Sequence, residues 1–462
     1  MKKILILSLI VSFFAPTVYS QDIKGSWSGS LEFGGKKTPL IFNITENDGN
    51  YSATLDSPSE GVKDIPVSEV SFDNLKLKLS ISNIGMEYEG ELKNDTIFGT
   101  FKQMGMTLPL NLCSITDKSI LFEKPQDPRK PYPYKSEDII FDNKKAGISL
   151  AGTFTFPDKG DNFSVVVLIS GSGAQNRDME ILGHRPFLVL SDYLTLNGIA
   201  VLRFDERGVG ESEGDFTSAT TEDFASDIES AVEFLKTRKE INIDKIGLIG
   251  ISEGGIIAPM IAARSNDISF IVMLAGSGVS GDKILLRQSE IIARALGMTE
   301  DKIAKTNEIN KKIYDKITEA KKYVSNEELK DILNELKTDI SEITPASLTL
   351  EEHIEIYYAQ MSSPWMQYFI RYNPAPALEK VRCPVLVLNG SKDLQICPKQ
   401  NLPAISEALK TGGNTNVTVK EYPDLNHLFQ HCTTGLPNEY NTIEETMSPE
   451  VMKDIALWIN EL

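Results

Sequence analysis

A serine between two glycines is the residue in this sequence best suited to covalent chemistry. The pattern G-x-S-x-G is formed by Gly250, Ile251, Ser252, Glu253 and Gly254, after the strand-like run KIGLIG and before the helix-like run IIAPMIAAR. This context is typical of a sharp strand-to-helix turn that exposes a serine hydroxyl and has no room for side chains in place of its glycines. A turn without chemistry is the alternative, but the flanking strand and helix favour Ser252 as a nucleophile.

A serine nucleophile needs a histidine base, and the chain has 4 histidines. Where this turn carries a nucleophile, the acid follows it in sequence and the histidine follows the last core strand. His427, after VTVKEYP, fits that position, whereas His184 and His353 precede the expected acid. His431 lies one helical turn beyond His427, so a zinc-binding pair is the competing idea, weakened because no H-E-x-x-H pattern is present. We expect neither a metal nor a cofactor.

The acid that orients the histidine should end a core strand between the nucleophile and the base. Asp393 ends the run PVLVLNGSKD and leaves room for one helix and one strand before His427. Asp424 is the rival, but it lies too close to His427 in sequence to approach the ring from a separate strand end. The sequence therefore predicts Asp393 as the third member of a catalytic triad.

A developing oxyanion needs two backbone N–H donors. One donor is expected from the residue after the nucleophile, Glu253, and the other from the loop after an early strand. That loop contains Gly171, Ser172 and Gly173, and its position favours the amide of Ser172. A glycine-rich turn without a ligand is the alternative. A dinucleotide fingerprint is not indicated, because the third glycine and its spacing are missing.

The elements that would position these residues form a βαβ series. Apolar runs such as VVVLIS, IAVLRF, FIVMLAG and CPVLVLNG read as buried parallel strands and alternate with helical stretches. A long insertion at about 281–365 has helical spacing and separates two of these strands, which predicts a helical cap. In the charged, glycine-rich stretch RFDERGVGESEG we expect Asp205 and Arg207 to brace a loop beneath the site.

The chain before this series has a different character. Residues 21–124 alternate like strands and are interrupted by turn residues, which predicts a small all-β domain, a barrel or a sandwich that closes its own edges. Four prolines in KPQDPRKPYPY predict a linker at 125–134, and 135–462 would form the α/β domain. Residues 1–20 read as a signal peptide cleaved after Ser20, with an apolar run too short to span a bilayer.

Composition limits the possible partners. The formal net charge of −18 disfavours binding to phosphate backbones and to anionic lipid. We therefore expect a small acyl substrate, no nucleic acid, no membrane contact after signal cleavage, and a periplasmic or extracellular location. The 4 cysteines include no C-x-x-C pair, so neither a zinc knuckle nor a thioredoxin-type motif is predicted.

Several motifs in order resemble one bacterial family. The stretches SGSGAQNRD, GHRPFLVLSDYL, RFDERGVGES, GISEGG, PVLVLNGSKDLQ and LNHLFQ look like secreted α/β-hydrolases near the serine aminopeptidase-like and prolyl oligopeptidase-like groups. The closest characterised members are carboxylesterases with an extra N-terminal domain. The resemblance covers about Phe141 to Leu462 and implies an α/β-hydrolase fold with Ser252, Asp393 and His427 as the triad.

Two departures from this family leave the triad untouched: Ala174 stands where proline is frequent, and Cys397 where cysteine is unusual. Because Asp393 must meet His427, the nearby Cys397 and Cys432 would be brought towards each other. A disulfide between them, bracing the two loops, is a further hypothesis.

Three functions remain open from the sequence. The first is a serine esterase that works through an acyl-enzyme without a cofactor. The second is an aminopeptidase-like enzyme that uses the same triad on an amide. The third is a binding module with an inert hydrolase fold, whose β-domain contacts glycan or peptide. The short N-terminal domain leaves no room for the large propeller of prolyl oligopeptidases, which favours the esterase.

Overall fold

The computed structural model of the protein describes residues 23–33, 36–47, 49–58, 62–93, 95–103, 105–115 and 124–462. The predicted signal peptide lies outside the described residues. The chain forms two compact units, Met1–Phe122 and Glu123–Leu462. In the described residues, every helix falls short of the length and apolar character that a bilayer-spanning segment needs.

The first unit is a nine-stranded antiparallel sheet. Its strands are β1 Gly25–Phe33, β2 Lys36–Asn47, β3 Asn50–Ser57, β4 Val62–Pro66, β5 Glu69–Asp73, β6 Lys76–Ile81, β7 Met86–Lys93, β8 Thr96–Gln103 and β9 Met106–Ile115, with a 3-10 turn at Ser82–Ile84. Their order across the sheet is β4-β3-β2-β1-β9-β8-β7-β6-β5.

Strict alternation along the strands gives this sheet one apolar face. In β6, Leu77, Leu79 and Ile81 are buried while the intervening side chains are exposed or half-buried. They join a core that includes Trp27 and Tyr88. The barrel-like prediction is confirmed in the form of a half-barrel. Among the described residues no hydrogen-bond ladder joins the edge strands β4 and β5, so the sheet does not close on itself.

The second unit is an eight-stranded sheet with helices. Its strands are β10 Tyr134–Asn143, β11 Ile148–Pro157, β12 Phe163–Ile169, β13 Ala200–Phe204, β14 Ile241–Ile251, β15 Phe270–Leu274, β16 Val385–Gly390 and β17 Val417–Tyr422. Its helices are α1 Pro186–Leu196, α2 Thr221–Leu235, α3 Gly254–Ala262, α4 Gly281–Ala295, α5 Glu300–Glu319, α6 Asn326–Glu335, α7 Lys337–Ile343, α8 Leu350–Met361, α9 Pro364–Arg371, α10 Ala375–Leu378, α11 Pro398–Thr411 and α12 Pro449–Asn460, with a 3-10 helix at Pro437–Thr442.

The strand order, β10-β11-β13-β12-β14-β15-β16-β17, is that of the predicted α/β-hydrolase fold. Strands β12 to β17 are parallel, and the hairpin β10 and β11 adds an antiparallel edge. The central parallel strands are mostly apolar and buried because helices cover both faces of the sheet, whereas the edge strand β17 is largely exposed. Since their carboxyl ends meet at one edge, residues that follow β12, β14, β16 and β17 come together there.

The predicted insertion is a helical cap. Helices α4 to α9 lie between β15 and β16 in sequence, so the cap extends a few residues beyond the predicted end. It has an apolar core of its own, which includes Ile313, Leu329, Leu333 and Tyr357. Two cap helices, α4 and α9, also pack on the core of the sheet through Ile284 and Phe369.

The proline-rich stretch predicted as a linker belongs to the second unit. Lys124 Nζ donates to the carbonyl of Ile443 at 3.0 Å, and Asp127 pairs with Arg185 at 2.6 Å. Proline excludes helix and central strand but leaves the neighbouring polar side chains free to bond. The proline content predicted the lack of helix and central strand, but it could not predict the bonds that tie this stretch to the second unit.

Candidate active site

The turn around Ser252 has the strained geometry that its sequence predicts. Ser252 has a φ of 55°, in the left-handed region, and its amide donates to the carbonyl of Leu274 at 2.8 Å. A Cβ on Gly250 would collide with the carbonyl of Gly254, and one on Gly254 with the carbonyl of Ile169. Both glycines are therefore required sterically, and the serine is held at the start of α3.

The predicted acid and base are bonded to each other. Nδ1 of His427 lies 2.8 Å from Oδ2 of Asp393, and both residues are buried. The other carboxylate oxygen, Oδ1, accepts the amides of Gln395 and Ile396 at 2.8 Å each. Asp393 is thus fixed by its own loop and can orient the imidazole, leaving Nε2 for proton transfer.

Ser252 and His427 line the same cavity, which has a volume of about 310 Å³. Within the described residues the Ser252 hydroxyl has no hydrogen-bond partner. One of the two links of a serine–histidine–aspartate line is therefore formed, between Asp393 and His427. Such links to a nucleophile tighten when substrate binds, so this geometry is compatible with a free enzyme.

The rival acid and the rival zinc ligand have other partners. Asp424 is exposed and pairs with Lys392 at 2.8 Å, which holds the pKa of the Asp424 carboxyl below its ordinary value. His431 pairs with Glu445 at 2.8 Å. Among the described residues, no group of three or more His, Cys, Asp or Glu side chains could hold a metal ion.

The two remaining histidines serve the fold. His184 is fully buried between the hydroxyl of Thr446 and the carbonyl of Tyr440, and burial lowers its pKa to about 4. His353 lies in α8 and contacts Thr344. Neither residue lines the cavity.

The loop predicted to supply the second oxyanion donor lies against the nucleophile. A Cβ on Gly171 would lie 3.3 Å from Cβ of Ser252. In the described structure the amides of Ser172 and Glu253 have no hydrogen-bond acceptor, and both residues line the cavity. Two free amide donors beside the serine can stabilise negative charge on a substrate oxygen.

Sequence reasoning assigned only the backbone of Glu253, and its side chain is an unanticipated part of the site. The carboxyl accepts hydrogen bonds from Thr221 Oγ1 and from Trp365 Nε1, each at 2.7 Å. Burial raises the pKa of Glu253, and the hydrogen bonds from Thr221 and Trp365 oppose that rise. No sequence signal revealed this, since Trp365 reaches the turn only by the folding of the cap.

The rest of the cavity is largely apolar. The cap contributes Ile284 and Leu285 from α4, together with Trp365, Met366 and Phe369 from α9. The core side contributes a further apolar set, consisting of Met179, Ile181, Ile251, Ile256, Ile396 and Leu428. Glu253 and His427 are the titratable side chains in this lining.

The charged stretch after β13 braces the neighbouring loops through ion pairs. Asp205 binds the Arg177 guanidinium at 2.7 Å, and Arg207 binds Asp227 at 2.7 Å. Gly210 is needed here, because a Cβ at its φ of 55° would lie 2.5 Å from an oxygen of Asp205. These contacts agree with the structural role expected of Asp205 and Arg207.

The hypothesis of a disulfide between Cys397 and Cys432 is not supported, because both are free thiols, as are Cys113 and Cys383. Cys397 is buried at the start of α11, whereas the Cys432 thiol donates to the carbonyl of Asp424. The bond between acid and histidine brings their loops together without aligning these two side chains.

We expect a thiol reagent to titrate all four cysteines of the protein unfolded without reductant, because none is bonded to another. The same protein should migrate identically on reducing and non-reducing gels. A count of two thiols, restored to four by reductant, would contradict the structure.

Comparison with known proteins identifies a matching family and several similar proteins. The family described as serine aminopeptidase, S33, matches residues 185–431, more than half of the chain. Esterase EstD of Thermotoga maritima is 25% identical over 330 residues, covering 71% of this chain and 68% of the esterase. An uncharacterized 31.7 kDa protein in the traX-finO intergenic region of Escherichia coli is 24% identical over 287 residues, covering 59% of this chain and 87% of that protein.

The esterase Pf2001 of Pyrococcus furiosus, a solved structure, aligns with a TM-score of 0.42 and 15% identity over 73% of this chain and 99% of its own. The chain belongs to the serine aminopeptidase (S33) family and is an α/β-hydrolase.

Proposed function

We propose that this hydrolase cleaves carboxylic esters through an acyl-enzyme, with Ser252 as nucleophile, His427 as general base and Asp393 as the group that orients it. The hydrogen bond between Asp393 and His427, in the cavity that Ser252 also lines, is the observation that carries this proposal. The name of the Thermotoga maritima relative, an esterase, supports it.

The reaction would proceed in two steps. In the first, Nε2 of His427 takes the proton of Ser252 Oγ as that oxygen attacks the ester carbonyl. The amides of Ser172 and Glu253 stabilise the oxyanion, and the histidine returns the proton to the departing alcohol. In the second, His427 deprotonates a water molecule that attacks the acyl-serine ester, and Ser252 leaves with the proton as the carboxylic acid is released.

The lining of the cavity favours a substrate that carries no charge near the scissile bond. A volume of about 310 Å³ is at the small end of the range for ligand pockets, about 300 to 1,000 Å³. Apart from Gln288, the side chains that α4 and α9 contribute to the walls are apolar, and the Glu253 carboxyl already accepts hydrogen bonds from Thr221 and Trp365. A neutral acyl group of modest size would fill such a space best.

An aminopeptidase activity is the alternative, and the name of the family favours it. Such an enzyme needs a carboxylate that faces the ammonium group of the substrate, since a buried, unpaired ammonium is costly. Glu253 is the acidic side chain of the cavity, and its carboxyl already accepts hydrogen bonds from Thr221 and Trp365. We therefore favour esters.

A pair of substrates that differ only in charge tests this choice. We expect kcat/KM for p-nitrophenyl hexanoate to exceed that for p-nitrophenyl 6-aminohexanoate by about tenfold or more, because an unpaired ammonium costs at least about 1.4 kcal/mol on burial. Initial rates should be measured at one pH and corrected for spontaneous hydrolysis. A preference for the amino ester, together with turnover of aminoacyl p-nitroanilides, would instead establish the peptidase.

We also propose that the chain is exported, on the strength of its first 20 residues. Expression of the full-length chain in a bacterium should yield a mature protein that begins at Gln21, as read by N-terminal sequencing of the periplasmic fraction or the medium. Recovery of the intact chain from the cytoplasm would contradict this proposal.

A further inference from the structure

The loop that carries Ser172 is held at both ends by the carboxyl group of one half-buried glutamate. This segment, residues 170–175, follows β12 and is called the oxyanion loop below. Glu206 accepts a hydrogen bond from Ser170 Oγ at 2.6 Å through one oxygen and from the Gln175 amide at 2.9 Å through the other. The amide of Glu206 in turn donates to the carbonyl of Gln175 at 3.1 Å. Three hydrogen bonds thus close the loop onto a single residue.

The surroundings of Glu206 are unusual for an acidic side chain. The apolar residues Phe204, Phe224 and Ile257 line the small cavity beside it, and among the described residues no lysine or arginine forms an ion pair with it. Burial raises its pKa to about 8, against the opposing effect of the bonds from Ser170 and Gln175. A carboxyl group retained here without a cation implies a local task, since an apolar residue would be cheaper to bury.

We propose that Glu206 is a positioning residue, whose carboxyl group ties the two ends of the oxyanion loop and thereby keeps the Ser172 amide directed at the oxyanion. This role rests on the proposed function. Glu206 does not line the catalytic cavity and would act only through the loop.

The neutral form of Glu206 suits this task at neutral pH. Protonation reverses the bond to Ser170: the carboxyl hydroxyl then donates to Ser170 Oγ, while the other carboxyl oxygen still accepts the Gln175 amide. Glutamine has the same shape and can make the same two bonds without titrating. Alanine removes both bonds and leaves the loop closed only by backbone.

The test compares Glu206→Ala, Glu206→Gln and a control, Glu213→Gln, an exposed glutamate of the same charged stretch. Active sites are counted with a fluorophosphonate, so that rate constants refer to folded, reactive enzyme. We expect kcat of Glu206→Ala to fall about 10- to 100-fold, less than the about 10²- to 10³-fold cost of removing an oxyanion donor. KM should stay within about twofold, because ground-state binding does not use the donor. Glu206→Gln and the control should stay near the wild type at pH 7.

A transition-state analogue separates positioning from folding. A trifluoromethyl ketone forms a tetrahedral adduct with an oxyanion, so its Ki should rise by the same factor as kcat falls in Glu206→Ala. An unchanged kcat per titrated site, or an unchanged Ki beside a lowered kcat, would overturn the role of Glu206. Wild-type protein that takes up no fluorophosphonate and cleaves no ester would refute the proposed function and this role with it.

The pH profile provides a second test if Glu206→Ala does not fold. The acidic groups that face Glu206 are Glu253 from the nucleophile turn and Asp227 from α2, and Asp227 is paired with Arg207. Ionisation of Glu206 adds a negative charge near the oxyanion, so kcat of the wild type should fall as pH rises above about 8. Glu206→Gln should lack this decline. Identical alkaline limbs in the two proteins would contradict the proposal.

Discussion

Replacement of Ser252 by alanine should lower kcat for ester hydrolysis by about 10⁶-fold, the cost of removing the nucleophile of a serine triad. The effect is large because the Ser252 hydroxyl forms the covalent bond to the acyl group. Ser252 has a φ of 55° at the turn between β14 and α3, and an alanine would keep that backbone. The variant should therefore fold, and it should no longer be labelled by a fluorophosphonate.

Ser230→Ala is a matched control for this variant. Ser230 lies on α2 and donates to the carbonyl of Ser226, outside the cavity. Its kcat should equal that of the wild type. Ester hydrolysis at wild-type rates in Ser252→Ala, after the protein has been shown free of contaminating esterase by labelling, would eliminate the proposed nucleophile.

Asp393→Asn should lower kcat by about 10⁴-fold with little change in KM, because an amide favours the wrong tautomer of the histidine. In the wild type, Asp393 accepts hydrogen bonds from two backbone amides and from Nδ1 of His427. Asparagine preserves the size of the side chain, so the loss should appear in the rate and not in the secondary structure measured by circular dichroism. A steady-state comparison at pH 7 to 8 would measure it.

Asp424→Asn is the informative control, since Asp424 was the competing acid. It is exposed, bonded to Lys392, and close to His427 in sequence without contacting the ring. Its kcat should remain within about twofold of the wild type, as for most exposed substitutions. If Asp424→Asn lost activity and Asp393→Asn did not, the assignment of the acid would have to be reversed.

Glu206 also makes the free energy of unfolding depend on pH, and the direction of this dependence follows from the raised pKa of Glu206. The folded protein holds a proton up to about pH 8, whereas a carboxyl of ordinary pKa, 4.5, has lost it in the unfolded chain. Between these values the folded state binds more protons, so the free energy of unfolding falls as pH rises. Glu206→Gln should flatten this part of the dependence of the melting temperature on pH.

Most elements of the sheet were predictable because the central parallel strands are short apolar runs buried on both faces. The hairpin of β10 and β11 was not predictable, because no sequence pattern distinguishes an antiparallel edge that joins a parallel sheet. The cap was predictable as an insertion between two strands. Its packing on the core through Phe369 was not, because helical periodicity identifies an apolar face without identifying what covers it.

By itself, the sequence determined the positions of the candidate reactive groups. Ser252 lies in a glycine-flanked turn, and Asp393 and His427 follow parallel strands, whose carboxyl ends share one edge of the sheet. Those inferences depend on local sterics and on strand direction, and both are encoded in short stretches of sequence. Only the tertiary structure decided the environment of each group. Trp365 bonds Glu253 from the cap, Glu206 closes the oxyanion loop, and Cys397 stays apart from Cys432. Contacts of this kind join residues far apart in sequence through side-chain direction and burial, and these exist only once the chain has packed.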